Sequence, residues 1–158
     1  MNALAVVIVL AVMLWGASIY GQLPQQLPTH WNAAGEADAF GTKSVWTVFG
    51  ALFIGAASCL LLIGLQLGLN RRKNTTPAEK RVIGLSFSYL SLAMSVLFGW
   101  IALLSWYGLQ PGPAFIVFTV LLVVPVLIII AVNMPRLKEE RAAVTPQAEP
   151  ALNPKYWV

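Results

Sequence analysis

Between Val45 and Asn70 the sequence reads VWTVFGALFIGAASCLLLIGLQLGLN, a run without a charged side chain. A helix needs roughly 20 consecutive apolar residues to cross the hydrocarbon core of a bilayer, because a spanning backbone must satisfy its own hydrogen bonds. Three other uncharged runs meet this requirement, at residues 2–21, 82–108 and 112–135. The sequence therefore predicts an all-α integral membrane protein, a bundle of four transmembrane helices at about 2–21, 45–69, 77–107 and 113–134.

The composition agrees with a membrane environment. Of the 158 residues, 58% are hydrophobic and 10% are charged, whereas soluble domains carry about 25% charged residues. We expect the lipid bilayer to surround a single domain, residues 1–135, which a cytoplasmic tail of residues 136–158 follows. The first apolar run lacks the preceding Lys or Arg of a signal peptide and is long enough to span, so it is expected to remain as helix one.

The basic residues predict an orientation, because nine of the ten Lys and Arg side chains lie at the same side of the predicted bundle. They are Arg71, Arg72, Lys73, Lys80 and Arg81 between helices two and three, and Arg136, Lys138, Arg141 and Lys155 after helix four. Positive residues near helix ends are retained in the cytoplasm. Both termini are therefore expected in the cytoplasm, and residues 22–44 on the outer side of a bacterial inner membrane. No nucleic-acid partner is expected, since the short basic segments offer no folded surface.

Helices two and three are expected to pack closely through small residues. On helix three these recur every three or four positions: Gly84, Ser88, Ser91, Ser95 and Gly99. Gly64 and Gly68 are their predicted counterparts on helix two. The serines could line a polar pathway, but packing with hydrogen bonds to preceding carbonyls is the favoured interpretation. No Asp, Glu, Lys, Arg or His side chain lies inside any of the four uncharged runs, which argues against a pump or an ion-coupled exchanger.

Two further patterns concern helix ends and shape. Thr76-Pro77-Ala78-Glu79 has the sequence of a capping box at the start of helix three. Pro125 lies in the middle of helix four and predicts a kink. Cys59 is the only cysteine, lies inside an apolar run, and is expected to be a small buried residue.

The connection of residues 22–44 is longer than the roughly 12 residues above which loops tend to be functional or disordered. Two Leu-Pro pairs stiffen its first part, and Thr29-His30-Trp31-Asn32 alternates in a way that suits a short extended segment. Gly35 can take a positive φ and predicts a turn. Aromatic residues of this region are expected at the level of the lipid head groups: Trp31, Phe40 and Trp46. The sequence therefore predicts a small strand-turn or Ω-like cap on the bundle.

The polar residues of this loop allow two interpretations. His30, Glu36 and Asp38 could hold a divalent metal or form a cluster that responds to pH. Alternatively, His30 and Asn32 hydrogen-bond the loop backbone while Asp38 pairs with Lys43. We favour the second interpretation and expect neither metal nor cofactor, because one histidine and two carboxylates without a dense ligand spacing are a weak metal signal.

The loop resembles a known signature. Pro28, His30, Trp31, Asn32, Gly35 and Asp38, with Lys43 behind them, follow the pattern Pro-x-His-(Phe/Trp)-Asn-x-x-Gly-x-x-Asp and then Lys. This pattern is similar to that of the domain of unknown function at the start of SdpI-type bacterial membrane proteins. The resemblance implies a role in immunity to a secreted toxin peptide and in membrane-level signalling to a repressor. Residues 153–158 resemble the start of a cytoplasmic tail motif of some relatives.

An enzyme is not expected, because the sequence lacks an H-E-x-x-H helix, and residues 84–88 lack the final glycine of a nucleophile elbow. The preferred hypothesis is a non-enzymatic protein that senses or neutralises an extracytoplasmic peptide or envelope stress. Its expected ligand- or partner-binding residues are His30, Trp31, Asn32, Glu36, Asp38 and Lys43, with Pro28 and Gly35 as structural residues. Expected partners are a secreted peptide or envelope protein, a cytoplasmic regulator, or a second copy of the chain.

Two alternatives remain open. The first is a small transporter or transporter accessory subunit, which would use the serine-rich face of helix three and the kink at Pro125. The second is a surface metal-dependent enzyme built on His30, Glu36 and Asp38.

Overall fold

The computed structural model describes residues 1–73 and 75–144 and consists mainly of four helices. Their bounds are α1 Asn2–Ile19, α2 Val45–Asn70, α3 Pro77–Tyr107 and α4 Ala114–Val144. All four are long and apolar enough to cross a membrane, as predicted, and they support a multi-pass membrane protein. Between α1 and α2, a 3-10 turn at Tyr20–Gln22 leads into two antiparallel strands, β1 Gln26–Trp31 and β2 Ala37–Thr42. This small sheet lies in the loop for which a strand-turn or Ω-like cap was predicted, although the all-α fold class did not include it.

Side-chain caps fix where two of the helices begin. At α3, the Thr76 hydroxyl accepts a hydrogen bond from the Glu79 amide at 3.2 Å, and the Glu79 carboxylate accepts one from the Thr76 amide at 2.9 Å. The predicted capping box is therefore present, with Pro77 in the first turn, where a missing N–H costs nothing. At α2, the Ser44 hydroxyl accepts a bond from the Thr47 amide at 3.1 Å, so helices two and three begin at the predicted residues.

The last helix is longer than predicted, since α4 passes Pro135 and continues to Val144. Contacts with the start of α3 stabilise this extension. The Glu140 carboxylate accepts a hydrogen bond from the Ala78 amide at 2.9 Å, and the Arg141 Nε atom lies 2.6 Å from the Glu79 carboxylate. The first part of the predicted tail is therefore helical. Residues 145–158, with the predicted linker and tail motif, lie outside the described residues.

The core of the bundle consists of α1, α2 and α3, with the most extensive contact between α2 and α3, while α4 packs mainly against α3. Gly55 permits the close approach of α2 to α3, because a Cβ atom there would lie 2.8 Å from the Phe98 Cβ. The prediction for Gly64 and Gly68 is wrong, since a Cβ at either position would meet nothing within 4 Å.

The serine face of α3 contacts α2. Ser91 and Ser95 are fully buried, and their hydroxyls donate to the carbonyls of Phe87 and Ser91 at 2.9 and 2.8 Å. Cys59 is buried as predicted, and its sulfur lies 3.1 Å from the Ser95 hydroxyl and 3.3 Å from the Ser91 carbonyl. These hydroxyls therefore satisfy backbone groups in a packed interface.

A tyrosine compensates for the proline inside α4. Pro125 has no N–H to donate to the carbonyl of Leu121, four residues earlier. The Tyr89 hydroxyl of α3 donates a hydrogen bond to that same carbonyl. A polar group that would otherwise be unpaired in the apolar part of the bundle is thus satisfied by the neighbouring helix.

We predict that Tyr89→Phe lowers the free energy of unfolding by about 0.6–1.7 kcal/mol, the range measured for hydrogen bonds between membrane helices. In a Pro125→Ala background the same substitution should cost much less, because the alanine N–H takes the Leu121 carbonyl. The four proteins can be compared by titrating SDS into micelles and following helicity. An equal loss of unfolding free energy in both backgrounds would show that Tyr89 does not compensate for the missing N–H of Pro125.

The buried core lies at one end of the bundle, which we call the hairpin end. This end comprises β1, β2 and the α3–α4 turn at residues 108–113. Its core cluster consists of Leu23, Leu27, Val48, Leu52, Ala102 and Trp106. The opposite end, which we call the basic end, contains the α2–α3 connection and the last turns of α4, where the basic residues are concentrated.

Candidate functional site

The inner strand of the hairpin, β1, is attached to the helices. Leu27 is fully buried in the core cluster and Pro28 is buried beside it. The buried Ser105 hydroxyl of α3 donates a hydrogen bond to the Pro28 carbonyl at 2.6 Å. Pro28 therefore lies in the packed contact between β1 and α3. By contrast, β2 is the outer strand, and its residues are mostly exposed.

The turn between the strands is built around Asn32. Its side-chain oxygen accepts hydrogen bonds from the amides of Ala34 and Glu36 at 2.9 and 3.0 Å, and its side-chain nitrogen donates to the Glu36 carboxylate at 3.1 Å. The prediction that Asn32 bonds the loop backbone is confirmed. Both polar atoms of this side chain are engaged, so Asn32 shapes the site.

The tip of the hairpin rests on the α3–α4 turn. Gly35 has a φ of +81°, as its predicted turn required, and a Cβ atom at this position would lie 2.5 Å from the Gly112 backbone nitrogen. Nearby, the Trp31 indole N–H donates to the Leu109 carbonyl at 3.2 Å. The hairpin is therefore held at its tip as well as at its base.

Lys43 fastens the end of β2 to the end of α1. Its ammonium group lies 3.0 Å from the Leu23 carbonyl and 3.4 Å from the Tyr20 carbonyl, and 5.5 Å from the centre of the Tyr20 ring. The prediction that Lys43 pairs with Asp38 is wrong. Carbonyls at the C-terminal end of a helix carry partial negative charge and so attract a cation such as the Lys43 ammonium.

His30 and Asp38 contact each other through their side chains. The His30 Nδ1 atom lies 2.6 Å from an Asp38 carboxylate oxygen, and the side chains are 67% and 43% exposed. Our expectation that His30 bonds the loop backbone is therefore wrong. A tautomer that donates its Nδ1–H to this carboxylate presents Nε2 as a hydrogen-bond acceptor.

A double-mutant cycle can test the assignment of Lys43. Lys43→Gln should destabilise the protein by about 1–2 kcal/mol, because it removes a charged donor to two carbonyls. Asp38→Asn should not change this cost by more than about 0.5 kcal/mol, since the two side chains do not share a partner. Unfolding in micelles measures all four free energies. A larger coupling free energy would support the predicted pairing of Asp38 with Lys43.

A cavity of about 340 Å³ lies between the hairpin and the helices. The hairpin contributes Thr29, His30, Trp31, Asn32, Ala33 and Gly35, and the helices and their turn contribute Ile101, Leu104, Pro111 and Gly112. Three of the six predicted binding residues thus meet in this cavity, namely His30, Trp31 and Asn32. Glu36, Asp38 and Lys43 do not line it.

The other wall of the cavity was missed by the sequence reasoning. Ile101 and Leu104 lie within the predicted third span, and Pro111 and Gly112 lie between the predicted third and fourth spans. A second cavity, of about 170 Å³, lies beside it and is lined in part by Pro28, Trp31 and Trp46. Trp31 lines both cavities. Phe40 and Trp46 are 60% and 75% exposed.

The three side chains considered as metal ligands do not share one contact. Glu36 binds Asn32, whereas His30 and Asp38 contact each other. Among residues 1–73 and 75–144, no three His, Cys, Asp or Glu side chains are close enough to hold a metal ion.

Comparisons with known proteins match parts of the chain. The family model described as "Domain of unknown function (DUF1648)" matches residues 6–56, which include the hairpin and its flanking helix segments. An uncharacterized protein of Archaeoglobus fulgidus is 41% identical over 44 residues, which is 28% of this chain and 24% of that relative. The chain thus matches about a quarter of that relative's length. No solved structure matches the chain significantly.

Proposed function

We propose that the chain is a non-enzymatic membrane protein that senses or neutralises a peptide outside the cytoplasm through its hairpin end. The observation that carries the proposal is the 340 Å³ cavity, to which the hairpin contributes five consecutive residues, Thr29 to Ala33. Ligand pockets typically begin at about 300 Å³ and combine apolar walls with a few fixed polar groups. This cavity has that composition, because Trp31, Ile101 and Leu104 provide the apolar surface and His30 provides an acceptor.

The outer strand supports a peptide as the ligand. In a two-stranded sheet, alternate backbone N–H and C=O groups of β2 point away from β1, and Ala39 and Phe40 of this strand are exposed. Such an edge can pair with an extended segment of another chain. An extended peptide could therefore bind along β2 or place one side chain in the cavity.

The charge of the hairpin end favours a cationic peptide. Glu36 and Asp38 are exposed, whereas the Lys43 ammonium is engaged by two backbone carbonyls. The turn at residues 108–113 carries no charge. Attraction between opposite charges raises the rate of encounter and disfavours anionic competitors.

Two further arguments support a ligand outside the cytoplasm. The concentration of basic residues at the opposite end supports a cytoplasmic location for that end and for both termini, in a bacterial inner membrane. The cavity residues of the hairpin also belong to the loop that resembles the SdpI-type signature. On this proposal, immunity to a secreted peptide or signalling in response to it is the biological role.

The observed contacts give less support to the two alternative functions, a transporter and a surface metal-dependent enzyme. A transport path along α3 would need free hydroxyls, but those of Ser91 and Ser95 are buried and bonded to carbonyls. A surface metal-dependent enzyme would need Glu36 beside His30, but its carboxylate binds the Asn32 side chain.

The test is binding of the peptide fraction from spent culture medium to the purified protein in nanodiscs. His30→Ala should weaken binding about tenfold, the effect of losing one well-placed hydrogen bond of about 1.4 kcal/mol. Asp38→Asn should also weaken binding, because it changes the partner of His30 and removes a negative charge from the hairpin. Glu139→Gln, which removes one carboxylate at the basic end, is the matched control and should bind like the wild type. Equal binding by all four proteins would contradict the proposal.

A further inference from the structure

Two adjoining cavities lie at the basic end, between the end of α2, the start of α3 and the last turns of α4. The first has a volume of about 430 Å³ and polar walls, formed by Arg72, Lys73, Thr75 and Arg141. The second, of about 330 Å³, shares three of these residues and adds Glu79 and an apolar wall of Leu69, Val82, Ile83 and Leu137. Together they form an amphipathic groove with a basic part and an apolar part.

Fixed contacts shape this groove. Arg141 is held by Glu79 at 2.6 Å, and the neighbouring Glu140 carboxylate accepts from the Ala78 amide at 2.9 Å. The Thr75 hydroxyl donates to the Leu69 carbonyl at 3.1 Å, which ties the connection to the end of α2. The three elements that line the groove are therefore joined to one another.

The charges of the groove favour an anion. Its walls carry three cationic side chains and one carboxylate, that of Glu79, which is engaged by Arg141 and by the Thr76 amide. The Arg72 and Lys73 side chains are exposed and make no hydrogen bond to the described part of the chain. A guanidinium group beside an ammonium group is well suited to a phosphate, because the former binds two oxygens in parallel.

The depth of the groove favours a lipid over a free anion. The membrane-spanning helix α2 ends at Asn70, so Leu69 lies at the end of the span and Arg72 lies just beyond it. This is the level at which phospholipid phosphates meet the acyl chains. We propose that the groove binds one anionic phospholipid, with its phosphate at Arg72 and Lys73 and an acyl chain along Leu69, Val82, Ile83 and Leu137. The site is independent of the hairpin end and of the function proposed for it.

Native mass spectrometry of the full chain in detergent can test this site with phosphatidylglycerol as the probe. Arg72→Gln/Lys73→Gln should weaken the binding of the first lipid about tenfold, through loss of two charge-assisted contacts. Arg136→Gln/Lys138→Gln removes the same charge from α4 outside the groove and should change binding less than about twofold. An equal loss in both variants would overturn the proposal in favour of general charge attraction.

A second experiment distinguishes the binding of a lipid from the binding of a free phosphate. Phosphatidylglycerol should remain bound in the presence of excess glycerol phosphate, which has the head group without the acyl chains. Ile83→Trp should reduce lipid binding by filling the apolar part, while leaving the weak binding of glycerol phosphate unchanged. Displacement of the lipid by glycerol phosphate, or unchanged lipid binding in Ile83→Trp, would contradict the proposal.

Discussion

Gly35→Val is expected to detach the hairpin tip and to reduce peptide binding by about a hundredfold, the equivalent of about 3 kcal/mol. The residue has a φ of +81°, where a side chain with a branched Cβ costs roughly 1–2 kcal/mol. The new Cβ would also lie 2.5 Å from the Gly112 nitrogen, and such overpacking costs about 1–3 kcal/mol. Because the clash is with backbone, the tip has to move, and the wall formed by Thr29 to Asn32 moves with it.

Hydrogen exchange and peptide binding in nanodiscs measure this outcome. The amides of residues 32–36 should exchange faster in the variant, while those in the four helices should be unchanged. Gly21→Val is the matched control, since Gly21 also lies at the hairpin end but a Cβ there would meet nothing within 4 Å. Normal binding by Gly35→Val, with its tip amides still protected, would show that the contact with Gly112 does not support the site.

Trp106→Ala is expected to have the largest effect on stability, a loss of about 3–5 kcal/mol. Trp106 is 2% exposed, and its indole N–H donates to the Val48 carbonyl at 2.9 Å. Its ring also contacts Phe49 edge-on and fills the space beside Gly16. The substitution would therefore open a cavity where α1, α2 and α3 meet beneath the hairpin.

Helicity during SDS titration in micelles provides the free energy of unfolding for this variant. Trp46→Ala removes a ring that is 75% exposed and should cost less than about 1 kcal/mol, so it separates the effect of burial from the loss of a tryptophan. Equal losses in the two variants would mean that the cluster around Trp106 is not the main packing core of the bundle.

Much of the fold could be predicted from the sequence because the patterns that specify it involve residues that are close together in the chain. Uncharged runs of sufficient length specify spans, and the capping box at Thr76 specifies the first turn of α3. The turn at Gly35 was predictable from a residue that tolerates positive φ. Strand β2 was not, because Ala37, Asp38 and Gly41 are poor strand formers. Pairing with β1 compensates for their low propensity.

The missed parts of the candidate site depend on distant contacts. Lys43 has an acidic neighbour in the sequence, yet the end of α1 places two carbonyls closer to its ammonium group. The cavity wall from residues 101–112 lies far along the chain from the hairpin, so no sequence pattern in the loop could predict that these residues contact it. The extension of α4 beyond Pro135 likewise depends on Glu140 and Arg141 reaching the start of α3.

The central claim is that the hairpin end binds a peptide, and photo-crosslinking from the cavity rim tests it most directly. A benzophenone amino acid replaces Ala33, which is exposed and lines the cavity, in the full chain in nanodiscs. After illumination with the peptide fraction of spent medium, we expect a peptide adduct at this position. The adduct should be lost in Gly35→Val and absent when the probe replaces Lys138 at the basic end. An unmodified protein, or the same adducts from both ends, would contradict the claim.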